Sequence, residues 1–186
     1  MEKPPNLTDL IQNAHAGDDA ALASLFDAMY PELRRMAHYR LTSGGRGTLL
    51  DTTALVHEAY MRFARADQVR VEDRKHFIRY AGHVMRSVIV DFVRGRVAER
   101  RGGGLPHVTL NTGIMPGADH GEKEILQVHE ALEELGQFDQ RMVQVVELRY
   151  FAGMTEKEIG EILGVAERTV RRDWEKARLL LAEALA

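Results

Sequence analysis

Between residues 167 and 178 the side chains Arg168, Thr169, Arg171, Arg172, Lys176 and Arg178 recur on one side of a helical pattern, with Glu167 at its head. Side chains of these types can bind nucleic acid. Arginine and lysine pair with phosphates, arginine can hold a guanine edge with two bonds, and a glutamate can accept from cytosine. Val170, Trp174, Ala177 and Leu181 occupy the other side, so a solvated amphipathic helix is the plainer alternative. A second cluster lies upstream, where Arg79, Arg86, Arg94 and Arg96 are interleaved with Phe77, Tyr80 and Phe92. Cations with flat rings can follow a backbone and stack on unpaired bases, a device for single-stranded DNA. Phe77 and Phe92 also fall on core spacing; Tyr80 is the more open ring.

Catalytic chemistry finds little support. The chain has no cysteine, which excludes disulfides, thiol nucleophiles, cysteine zinc sites and iron–sulfur clusters. Val56-His57-Glu58-Ala59-Tyr60 lacks the second histidine of a helical zinc-protease pair, and His76 with His83 has no third ligand nearby. Gly102-Gly103-Gly104 follows a helix rather than a strand and has no Lys-Ser/Thr after it, so it is no phosphate loop. We expect no enzyme, no metal and no cofactor.

The elements that must position the arginines are helices. Apolar residues recur three and four apart at Leu7, Leu10, Ile11 and Ala14, then at Leu22, Leu25, Phe26, Met29, Leu33 and Met36, with Asp18 or Asp19 as cap of the second helix. Thr42 to Gly47 reads as a loop, Asp51 begins a third helix, and a fourth runs from about Arg74 to Arg100. The brief alternation at 67–73 reads as a loop. Helices are expected at about 123–136, 139–151, 155–163 and 167–184. Asp139 can cap the second of these. Thr155 with Glu158 has the capping-box form, and Gly164 can take the left-handed conformation that ends a helix. The short helix, glycine turn and longer helix in this region make a helix-turn-helix unit.

The whole is all-α: 186 residues, 45% hydrophobic, 28% charged, enough for one or two small domains. The net charge is −3, so no uniform basic coat exists and DNA contact must come from patches. Residues 67–104 carry 9 Lys/Arg against 5 Asp/Glu, whereas residues 125–186 carry 8 against 12. The Gly- and Pro-containing stretch between them reads as a flexible linker. The expected organisation is a domain at 1–101, a linker at 102–122 and a domain at 123–186. No run has the apolar length of a signal peptide or a membrane span, so a cytoplasmic location is expected.

Over about residues 8–184 the chain resembles the extracytoplasmic-function (ECF) group of sigma-70 family factors. The resemblance is carried by Asp51 to Arg62 (DTTALVHEAYMR), Tyr80 to Arg96, and Glu147-Leu148-Arg149-Tyr150-Phe151 leading through Met154-Thr155 to Arg178. It implies that the first domain is sigma region 2, binding the β′ clamp helices of core RNA polymerase and melting the −10 element. The second would be region 4, reading the −35 element of promoter DNA through Glu167, Arg168, Thr169, Arg171, Arg172, Lys176 and Arg178. Arg86 and Ser87 fall where the family usually has Arg-Asn near the −10 element, and Tyr80 where an aromatic is usual; Arg94 and Arg96 complete that set.

The helix starting at Asp51 departs from the family pattern. Thr53 and Ala54 stand where Glu and Asp are expected, leaving Asp51, Leu55, Glu58 and Arg62 as the polymerase-binding set and two negative charges missing. Charge pairs set encounter rate and register, so polymerase binding should be weak as synthesised. A phosphothreonine carries about −1.5 to −2 charge, matching the deficit, and the first turn of a helix favours a phosphate. A Ser/Thr kinase acting on Thr53, or less directly Thr52, is therefore expected to activate the factor; an anti-sigma factor is a further implied partner. Such a factor can also hold its halves together when inactive, hiding its DNA surfaces. The rival is a helix-turn-helix regulator whose first half senses a signal or dimerises.

Overall fold

In the computed structural model, residues 6–43, 52–65, 72–100 and 118–184 are described. Helix α1 spans Leu7–His15, α2 Asp19–Ser43, α3 Thr52–Arg65 and α4 Arg74–Arg100. The second half comprises α5 Ala118–Gly136, α6 Gln140–Val146, a π-helical turn Glu147–Phe151, α7 Glu156–Leu163 and α8 Glu167–Ala184. Among the described residues there is no strand.

Local chemistry explains where the helices start. The Asn6 side chain accepts from the Asp9 N–H at 2.9 Å, and Asp18, rather than Asp19, accepts from the N–H groups of Ala20 and Ala21. Asp139 caps α6 by accepting from the Met142 N–H at 3.0 Å. At α7 the box is complete in both directions: Thr155 accepts from the Glu158 N–H while the Glu158 carboxylate accepts from the Thr155 N–H at 2.8 Å.

Some boundaries differ from the sequence reading. Thr42 and Ser43 continue α2, although the rest of the expected loop lies outside the described residues. Helix α5 starts at Ala118, five residues before the expected 123, within the stretch read as linker. Gly121 and the lack of an apolar period there gave no helical signal. The expected single helix over 139–151 is instead α6 followed by the π turn. An extra residue in a turn rotates the next stretch of chain about the helix axis, a change invisible to apolar spacing alone. Here Glu147, Leu148 and Phe151 all become buried.

The core of the first half is built on rings and methionines. Phe63 stacks on Phe77 with centroids 5.1 Å apart and meets Tyr80 edge-on at 4.8 Å, while Phe26 meets Tyr60 edge-on at 4.6 Å. Leu33, Met36, Leu55 and Met85 are fully buried beneath them. In the second half Val145, Phe151, Ile159, Val170 and Ala177 close a smaller core. The two cores are continuous. Helix α4, roughly 40 Å long for its 27 residues, touches α3 within the first half and the π turn, α5 and α7 of the second. At the centre, the Leu148 side chain reaches to within 3.4 Å of where Gly82 would carry a Cβ.

The turn between α7 and α8 has its own constraint. Gly164 adopts φ +69°, the left-handed conformation that terminates α7. Gly160 is tighter, since a Cβ there would lie 2.8 Å from the Val165 backbone carbonyl oxygen, which cannot rotate away. Gly160→Ala should therefore lower stability by about 1–3 kcal/mol, read as a reduced denaturant midpoint; an unchanged midpoint would show that the turn can yield.

Candidate nucleic-acid interface

Helix α8 separates its faces as its sequence requires. Val170 and Ala177 are fully buried and Leu181 nearly so, whereas Glu167, Arg168, Arg171, Arg172, Lys176 and Arg178 are exposed and Thr169 is half-buried. Of the exposed groups, Arg171 is held by carboxylates of the same unit, donating to Glu156 at 2.9 Å and to Glu167 at 3.2 Å. Beneath them Asp173 is buried and accepts from Arg141 at 2.7 Å, tying α8 to α6. The Arg149 guanidinium lies 5.0 Å over the Trp174 ring. The result is a helix anchored through its buried side, with most of its cations, together with Glu167 and Glu175, on the exposed side.

Helix α4 is arranged differently. Arg94 is exposed, but Arg86 is only 5% exposed. Its Nη2 donates to Glu133 at 2.8 Å, and its Nε lies 3.0 Å from Glu147 Oε1. His83 Nδ1 meets the same Glu147 oxygen at 3.0 Å, and Arg96 Nε lies 3.0 Å from Glu122. Tyr80, half-buried against Phe63, has its hydroxyl pKa pushed up by burial. His129, on α5 beside this cluster, is held below the usual histidine value by burial first and by the Arg86 guanidinium second, with Glu133 opposing. The aromatic and cationic groups expected at single-stranded DNA thus share one helix, yet Arg86 and Arg96 face the second half.

On α3, Leu55 is fully buried and packs the core, leaving it no surface to offer a partner. Arg62 turns back onto α4, donating to Ser87 Oγ at 2.6 Å and to Asp91 at 2.8 Å, with Glu58 3.6 Å from its Nε. The residue expected at polymerase therefore positions a residue expected at the −10 element. Thr53, His57, Glu58 and Met61 form the exposed face of α3, Thr52 is half-buried, and Asp51 lies outside the described residues. Among the described residues no group of three or more His, Asp or Glu is placed to hold a metal. No described helix is long and apolar enough to cross a membrane.

Sequence reasoning missed the acidic partners Glu122, Glu133 and Glu147. One signal was present: Glu147 interrupts the apolar run Val145-Val146-Leu148, where a charge can be buried only against a counter-charge. Gly160 gave none.

Fold and faces together define an all-helical protein with a helix-turn-helix and a separate helix rich in arginines and rings. The ECF sigma factor family model matches residues 4–186, and the chain belongs to that family. It is a sigma factor that binds core RNA polymerase and directs it to promoter DNA. The family is not one of enzymes. A search of curated proteins finds no significant match.

Glu158 serves both the α7 cap and the contact between halves, because its carboxylate lies 3.1 Å from Arg35 of α2. Burial raises its pKa, but the Thr155 N–H and hydroxyl and the Arg35 guanidinium outweigh that and hold it below the usual glutamate value. A depressed carboxylate stabilises the fold above its unfolded pKa and loses that contribution as pH falls through the folded value. The stability difference between wild type and Glu158→Gln should accordingly shrink on acidification below the ordinary glutamate range. A difference independent of pH in denaturation curves would contradict this role.

Proposed function

We propose that this sigma factor works through a division of labour between its two units, α1–α4 for polymerase and the −10 element and α5–α8 for the −35 element, with the segment read as linker between them. In this reading α8 enters the major groove with Arg168, Thr169, Arg171, Arg172, Lys176 and Arg178 toward the DNA and Glu167 at its leading end. Phosphate contacts fix its register, and arginine contacts with base edges select sequence. Tyr80, Arg86, Ser87, Arg94 and Arg96 of α4 take the melted −10 strand by stacking and charge. Ser87 offers a hydroxyl where relatives usually offer an amide, so its base preference is its own.

Polymerase is engaged through α3, on the face that carries Thr53 and Glu58, against the clamp helices of the β′ subunit. The observation that carries the regulatory part is the start of this helix. Its first turn contains no acidic residue, and Thr53 is exposed there. A phosphate on Thr53 would supply the missing negative charge at a helix N-terminus, where backbone dipoles favour it. Half-buried Thr52 is the less accessible acceptor. A Ser/Thr kinase is thus the activating partner, an anti-sigma factor is a candidate repressor, and the factor acts in the cytoplasm with its polymerase.

Phosphorylated wild type should bind core polymerase at least about tenfold more tightly than either unmodified protein or Thr53→Ala treated with kinase, a difference of about 1.4 kcal/mol. Equal capture of all three in a polymerase pull-down would contradict the switch.

A further inference from the structure

The carboxylate of Glu156, the first residue of α7, is shared by two arginines. Arg149 of the π turn donates to its Oε1 at 3.1 Å, and Arg171 of α8 donates from Nε to its Oε2 at 2.9 Å. Arg149 is itself held over the Trp174 ring, so the carboxylate is fixed from its inner side. The Glu156 side chain is 18% exposed and that of Arg171 57%, so a mostly buried acceptor steers an outward-facing donor.

Arg171 has a second carboxylate, Glu167, one turn earlier on the same helix, which accepts from Nη2 at 3.2 Å. A guanidinium carries five N–H donors. Two are used, on Nε and Nη2, and no other partner of Arg171 is identified among the described residues. Both donors on Nη1 and one on Nη2 remain. An end-on pair of that kind fits O6 and N7 of guanine with two parallel bonds. The other exposed cations of α8 differ. Among the described residues no ion-pair partner is identified for Arg168, Lys176 or Arg178, and Arg172 has only Asp173, 3.5 Å from its Nε.

We propose that Glu156 is a specificity-determining positioning residue: with Glu167 it fixes the Arg171 guanidinium so that the remaining fork addresses one guanine in the major groove. The claim rests on the reading of α8 as the −35 helix. Glu167 is then occupied by Arg171 rather than by a cytosine, and Arg168, Lys176 and Arg178, which keep their rotamer freedom, serve as phosphate partners. A fork oriented in advance loses less side-chain entropy on binding and is not free to turn to a phosphate. The same carboxylates repel incoming phosphates, so general affinity falls where discrimination rises. A residue that only braced α7 against α8 would affect all sequences alike.

The test uses the full chain, whose α8 cations are exposed, with short DNA duplexes of randomised sequence, selected by binding and sequenced. Wild type should select a site containing one guanine whose replacement weakens binding at least about tenfold. Arg171→Ala should lose that preference and keep the others. Glu156→Gln keeps the side-chain shape and removes the charge; it should reduce the preference at the same guanine to about threefold and bind unrelated duplex about threefold more tightly. Glu167→Gln, at a surface position where misfolding is not a concern, should move both readings in the same directions. Lys176→Ala should instead weaken all duplexes alike and lower the salt dependence by about one counterion, with preferences unchanged. Glutamate variants that keep the full guanine preference, or lose affinity for every duplex equally, would overturn the proposal, as would an Arg171→Ala protein that keeps every preference. Failure of the −35 reading looks different: wild type then selects no sequence, and Lys176→Ala leaves its DNA affinity unchanged.

Discussion

The buried pair between Arg86 and Glu147 is the contact on which the rest of this arrangement turns. Two charges removed from water are tolerated only if each compensates the other, and removing one partner from such a pair typically costs about 3–5 kcal/mol. Replacing the pair by apolar residues is often neutral or stabilising, so it is poor evidence for stability as such. Its interest lies in where Arg86 would otherwise be needed. A group suited to DNA is held by carboxylates of the second unit, the one proposed to read the −35 element.

That contact depends on ordinary helical physics on both sides. Helix α4 buries Phe77, Ile78, Met85 and Ile89 and, along the same length, presents Gly82, His83 and Arg86 to the second half. The missing side chain at Gly82 admits Leu148. Opposite it, the π turn delivers Leu148 and Glu147 as one apolar and one acidic group side by side. The contact has an apolar centre bordered by charge. Within the first half, Arg62 joins the face proposed for polymerase to Ser87 and Asp91 on α4, so the two surfaces are mechanically linked through one guanidinium.

Much of the fold was legible in the sequence because local chemistry dictates it. The capping box at Thr155 and Glu158, the left-handed Gly164 and the apolar face of α8 predict the helix-turn-helix without tertiary information, and α4 is evident from its spacing. The family resemblance was carried by the same stretches. The π turn was not legible, since QRMVQVVELRYF supports a continuous helix equally well. Leu55 looked like a surface candidate because motif resemblance does not say which face of α3 is inward. Arg86 is the clearest case: its type and position point to DNA, while its burial is set by Glu133 and Glu147, residues remote in the chain. The charge partition shows a basic excess at 67–104 and an acidic one at 125–186, but not that these charges would meet.

The most direct measurement is the distance between the halves in solution, with and without polymerase. Because the chain has no native cysteine, Lys75→Cys and Glu134→Cys, both at exposed positions, can carry spin labels without background. Electron–electron resonance should give one narrow, short distance for the free protein, and a longer one when core polymerase and promoter DNA are added. A broad distribution in the free protein, unchanged by polymerase and DNA, would contradict a closed resting state.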